Sequence, residues 1–96
     1  MRPSEVFEQN RELIREAVQR RRTTNPRVFG SVLHGTDKDD SDIDILVDAP
    51  LGTTLIDLIG LEQELERKLG VRVQVLTPGS LHSFFRDKVL AEAEPV

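Results

Sequence analysis

Ser41-Asp42-Ile43-Asp44-Ile45 alternates carboxylate and branched aliphatic, then runs into the apolar Leu46-Val47. Only an extended strand sorts that alternation cleanly, because successive side chains leave opposite faces. Asp42 and Asp44 go to one face; Ile43 and Ile45 go to the other. The chain therefore needs a sheet with one face buried and the other carrying charge at this point. A sheet of that kind needs helices packed against it.

The remaining segments supply them. Residues 3–22, "PSEVFEQNRELIREAVQRRR", read as one helix, with Val6, Leu13, Ile14, Ala17 and Val18 at helical spacing. Arg20, Arg21 and Arg22 fall in its last turn, where cations suit the helix dipole. "TTNP" breaks that helix, and "RVFGS" is a short buried strand ending at Gly30. Residues 31–35 make one helical turn closed by Gly35. A second long helix covers "TTLIDLIGLEQELERKLG", with a broad apolar face from Leu55 to Leu69 and Gly70 as its cap. "VRVQVL" alternates as a third strand. Thr77-Pro78 opens a last helix that turns Leu81, Phe84, Phe85, Val89 and Leu90 inward. The expectation is an α/β (α+β) domain over residues 1–96, a small mixed sheet with helices packed on it.

Composition narrows the chemistry. The chain has 96 residues, 4 Phe and no Trp or Tyr, so its core is aliphatic and modest. It has no Cys, which excludes disulfides and thiolate metal sites. A net charge of -4 argues against nucleic-acid binding across the whole surface. No apolar run is long enough for a signal core or a membrane span, so a cytoplasmic protein without membrane contact is expected.

Two features carry chemistry. Gly30-Ser31 stands where a strand turns into a short helix. Backbone N–H groups there suit phosphate oxygens, and a residue without Cβ lets a phosphate come close. Alone, such a turn is common. Asp42 and Asp44 sharpen it: two carboxylates on one face form a hard-oxygen site of the sort Mg²⁺ shares with substrate phosphates. Such ions can bridge a triphosphate and orient an attacking hydroxyl.

Gly30-Ser31, ten residues, then Asp42-x-Asp44 resembles the signature of the nucleotidyltransferase superfamily that includes DNA polymerase beta and the aminoglycoside nucleotidyltransferases. The small size and the ending "VLTPGSL…FRDKVLAEAEPV" resemble its minimal members, the MNT domains. The resemblance implies that Gly30 and Ser31 grip nucleotide phosphates and that Asp42 and Asp44 ligate Mg²⁺, with ATP as substrate. It also implies a partner, since such domains often serve as antitoxins to HEPN-domain ribonucleases and silence them by moving AMP onto a tyrosine. A hetero-oligomer follows. Two positions depart from the family pattern. Its third acid falls on the neighbouring strand, where this chain has Gln74, which offers an oxygen but takes no proton. Where many relatives have arginine, this chain has His34, a weaker phosphate contact when neutral. A binding-only antitoxin is therefore a second expectation. A small-molecule nucleotidyltransferase is a third, although so short a chain has no obvious second domain to wall an acceptor pocket.

The other acids have plainer readings. Asp37, Asp39 and Asp40 read as a solvated loop. A calcium loop is the sharper alternative, but the glycine it needs at the sixth position is Asp42. Asp48 shares strand parity with Asp42 and Asp44 and is a substitute candidate for the third acid. His82 reads as an exposed helix residue. Phe84 and Phe85 read as core or partner contacts, and some apolar side chains between Leu55 and Leu69 should stay exposed.

Overall fold

A computed structural model describes residues 1–96. In chain order the elements are α1 (Pro3–Gln9), α2 (Arg11–Arg20), β1 (Thr24–Phe29), α3 (Gly30–His34), β2 (Ile43–Asp48), α4 (Leu55–Leu69), β3 (Val73–Leu76), a 3₁₀ turn (Pro78–Ser80), α5 (Ser83–Glu92) and β4 (Glu94–Pro95). The four strands form one sheet in the order β3-β2-β1-β4. β1 runs antiparallel to β2 and to β4, whereas β2 and β3 are parallel. The parallel pair needs a crossover, and α4 is that crossover.

The expected alternation decides the faces. Val28, Ile43, Ile45, Val47 and Val73 join α1, α2 and α4 in the main core. Phe29 and Leu46 point the other way and meet Leu81 in a small second cluster, with Val89 of α5 packed against it. Asp42, Asp44 and Gln74 belong to that second face by strand parity.

Three local devices hold the frame. Thr54 caps α4: its hydroxyl accepts from Asp57 N while Asp57 accepts from Thr54 N at 2.9 Å. The outer edge of β3 is covered, since Val73 N donates to Glu66 Oε2 (3.1 Å) and Val75 N to Glu62 Oε2 (2.9 Å). Those carboxylates on α4 leave the edge strand fewer free donors for a foreign strand. Glu64, 5% exposed, sits between Arg20, Arg21 and Lys68. Two of the three arginines at 20–22 thus tie α2 to α4. Gly60 makes room for Arg21, because a Cβ there would meet its guanidinium.

Several boundaries differ from the sequence expectation. The first helix is two: Asn10 breaks it at φ -127, and its Nδ2 donates to Val6 O at 2.8 Å. Thr24, Asn25 and Pro26 belong to β1, not to a loop; the register shifts between Thr24 and Arg27, with Asn25 at φ 53. Thr77-Pro78 starts the 3₁₀ turn, and His82 caps α5 by accepting from Phe84 N. Phe84 (82% exposed), Phe85 and Leu90 face solvent instead of the core. At the start of α4, Leu55 and Ile56 are exposed as expected, while Leu61, Leu65 and Leu69 are buried.

Candidate active site

Gly30 ends β1 and opens α3. Its φ is +75, in the left-handed region that L side chains avoid, and a Cβ there would collide with Asp44 Oδ2. The sheet places Phe29 opposite Asp44, so the Gly30-Ser31 turn lies directly beside that carboxylate. Gly35, at φ 71, closes α3 with its N–H directed at the carbonyls of Ser31 and Val32. Glycine at position 30 therefore serves a close approach to the acid as well as a turn.

On the other side, β2 and β3 pair in parallel register, with Asp44 opposite Gln74 and Ile43 opposite Val73. Asp42 lies just before β2, and Ile43 N donates to Arg72 O at 2.9 Å. Gln74 is thus next to the acid pair, at the position where the family resemblance puts a third acid. No third carboxylate or histidine joins Asp42 and Asp44 in a metal-binding cluster.

Electrostatics mark the pair as incomplete. Burial, with the Asp42 charge beside it, pushes Asp44 up to about 6. Asp42 Oδ1 is buried and accepts no hydrogen bond. Its ion-pair neighbour is Arg72 Nε at 3.0 Å, close but not aimed along a hydrogen bond. A buried carboxylate oxygen without a donor is costly. Two crowded carboxylates, one holding such an oxygen, fit a divalent cation with oxygen preference.

His34 is exposed in the last turn of α3, and its Nε2 meets Glu92 Oε2 of α5 at 3.0 Å. A cleft of about 310 Å³ runs from Gly30 and His34 to Phe85 and Lys88 of α5. Ser31 is half-buried at the start of the same turn. The five residues Gly30, Ser31, Asp42, Asp44 and Gln74 are brought together, and His34 stands at their margin in the grip of α5.

Asp48 is not brought in. It lies four residues beyond Asp44, about 13 Å along the strand, and it pairs with Arg27 at 2.6 Å and Asn25 at 3.1 Å. Asp37 is not in a solvated loop: it is 4% exposed and accepts from Ser4 N (2.8 Å) and Arg2 (2.9 Å). Desolvation opposes its charge, but the Ser4 hydrogen bonds and the Arg2 cation outweigh it, and its pKa is lowered. Asp37 is thus an anchor for the start of α1, and it leaves the calcium-loop alternative without its first ligand. A separate open depression of about 320 Å³ lies by Thr23, Thr24 and residues 50–53, at the far end of β1 from the acids. Arg72 escaped the sequence reading, although its position two residues before Gln74 places it on the same strand face.

The sequence model of the nucleotidyltransferase domain matches residues 11–95. The chain belongs to the nucleotidyltransferase family. Among relatives, it is 46% identical over 65 residues to the protein adenylyltransferase MntA of Thermococcus cleftensis, spanning 68% of this chain and 66% of that one. Among solved structures, a candidate minimal nucleotidyltransferase superposes with a TM-score of 0.86 at 39% identity, covering 97% of this chain and 95% of the other. A toxin–antitoxin chain crystallised with AMP-PNP superposes with a TM-score of 0.76 at 25% identity, covering 90% of this chain and 71% of that one. The mixed sheet with Gly30-Ser31 against Asp42 and Asp44 is accordingly a nucleotidyltransferase fold of minimal size.

Proposed function

We propose that this chain is a Mg²⁺-dependent protein adenylyltransferase that acts as the antitoxin of a HEPN-type ribonuclease, moving AMP from ATP to a tyrosine of its partner. The observation that carries this is the packing of Gly30 against Asp44, beside an Asp42 oxygen with no donor. The adenylyltransferase name of the Thermococcus relative and the toxin–antitoxin structure with AMP-PNP support the same activity and class of partner. Exposed Leu55, Ile56 and Phe84 suit a chain that works in a hetero-complex.

In this reading Asp42 and Asp44 hold Mg²⁺, which when bound neutralises phosphate charge and aligns the nucleotide with the acceptor. Gly30 lets Asp44 stand directly against the turn that receives the phosphate, and Ser31 donates its hydroxyl to that phosphate. The acceptor oxygen bonds to the α-phosphorus, the bond to pyrophosphate breaks, and pyrophosphate leaves. Gln74 Oε1 can orient the acceptor hydroxyl but does not take its proton. With Asp48 held by Arg27, that proton goes to water or to a basic group of the partner.

The glutamine favours one competing function, an antitoxin that neutralises by binding alone. Mass spectrometry separates the two. The partner toxin is incubated with this chain, ATP and Mg²⁺, and with the Asp42→Asn form as control. Adducts of AMP on the partner with wild type only support transfer. An unmodified but inhibited partner supports binding alone.

A further inference from the structure

We infer that Arg72 is a placeholder cation for the acid pair: its guanidinium holds Asp42 in the metal-free domain and must leave when a divalent cation enters. The inference rests on the proposed metal role of Asp42 and Asp44.

The geometry has three parts. Arg72 precedes β3 by one residue, and its carbonyl receives Ile43 N at 2.9 Å, so its backbone is fixed beside Asp42. Strand parity puts its side chain on the face that bears Gln74, Asp42 and Asp44. Its Nε lies 3.0 Å from Asp42 Oδ1, and its Nη2 reaches Asp40 O at 3.3 Å. No other basic side chain forms an ion pair with Asp42 or Asp44.

The contact is close but poorly made. The Arg72 side chain is 73% exposed, the Asp42 side chain 33%, and Oδ1 still lacks a properly directed hydrogen bond. A structural salt bridge meant to last would use the planar fork of arginine on both carboxylate oxygens. Here charge is neutralised without the directional bond, so the pair is easily exchanged for a better ligand. A compact dication can approach both acids at once, which one guanidinium at the Asp42 side does not do. Once displaced, Arg72 stays at the rim of the site, where a nucleotide's phosphates give it a new partner. Metal and nucleotide therefore favour each other's binding through this residue.

Mn²⁺ binding, followed by electron paramagnetic resonance or calorimetry, tests this without any turnover. Wild type, Arg72→Ala, Arg72→Lys and Asp42→Asn are compared, each with and without AMP-PNP, and their melting temperatures are recorded with and without Mn²⁺. Loss of a weak competing ion pair should tighten Mn²⁺ binding to Arg72→Ala about two- to fivefold. Arg72→Ala should melt lower than wild type without metal and show a larger rise when Mn²⁺ is added. It should also gain less Mn²⁺ affinity from AMP-PNP than wild type does. Arg72→Lys, which keeps the charge, should stay within about twofold of wild type. Equal or weaker Mn²⁺ binding by Arg72→Ala overturns the placeholder role while Asp42-dependent binding survives. If wild type and Asp42→Asn bind Mn²⁺ alike, the metal site itself is wrong, and the Arg72 inference falls with it.

Discussion

At the residue scale the site depends on what Gly30 lacks. A methyl group at that position would meet Asp44 Oδ2, and the backbone at φ +75 is unfavourable for any L side chain. Gly30→Ala should therefore cost at least about 1 kcal/mol of stability from the backbone alone. It should also turn Asp44 away from Asp42 and weaken Mg²⁺–ATP binding. Thermal melting and calorimetry measure the two effects, and a variant equal to wild type in both would mean that the close approach is incidental. Gln74 offers the opposite experiment. Because it stands opposite Asp44 in parallel register, Gln74→Asp should add a carboxylate to the pair and supply a general base. Such assistance is worth roughly 10²- to 10⁴-fold in rate. Apo stability should fall slightly through repulsion, and Mg²⁺ should restore more of it than in wild type. AMP transfer that stays flat or declines would point to a base supplied by the partner.

At the scale of elements, the contact between α2 and α4 depends on Glu64. Desolvation works against its charge, but Lys68, Arg20 and Arg21 prevail and bring its pKa down to about 2. A carboxylate lowered in the folded state stabilises fully above its ordinary value of 4.5, and that stabilisation is lost as pH falls from there towards 2. Glu64→Gln should cost about 1–3 kcal/mol at pH 7, towards the lower end because the three cations are partly exposed. The gap to wild type should narrow between pH 4.5 and pH 2. Chemical denaturation across that window tests it; a gap independent of pH would show that the loss is one of packing.

The same elements show what a sequence discloses. Alternation located β2 and β3 because both faces of the sheet have a fixed solvent: core on one side, site on the other. It put Asp42 and Asp44 on one face, whereas Gln74 and Gly30 came beside them only through the family resemblance; strand pairing sets Gln74 opposite Asp44, and Gly30 packs on Asp44. The break at Asn10 was invisible because Val6 and Phe7 before it and Ile14 and Ala17 after it all enter one core, so the apolar period continues across it. β4 was missed because Glu94-Pro95 carries no strand pattern; its pairing with Arg27 and Val28 is purely tertiary. Asp37 was hidden in a run of acids, since its partners Arg2 and Ser4 lie more than thirty positions away in the chain.

At the scale of the molecule the two faces of the sheet are unequal. The core against α1, α2 and α4 contains 15 buried residues, whereas the opposite cluster has three, Phe29, Leu46 and Leu81. α5 itself buries no residue fully and rests on that small cluster through Val89, with His34–Glu92 as a rim contact. A helix held by so little apolar area should open before the rest of the domain does. Hydrogen exchange should therefore find the amides of residues 83–92 less protected than those of α2 and α4, by about 2 kcal/mol or more in opening free energy. Leu81→Ala should widen the difference by removing a buried anchor of the second cluster that lies just before α5 in the chain, at a cost of about 2 kcal/mol or more, while protection in α4 changes little. The consequence reaches the site, because α5 walls the cleft that begins at Gly30. A ligand seated between Gly30 and Lys88 would bridge α3 and α5 and slow the exchange of α5 selectively. Equal protection across α2, α4 and α5, with or without AMP-PNP and Mg²⁺, would mean that the helix opens only when the whole domain unfolds, and that the second face is as firmly held as the first.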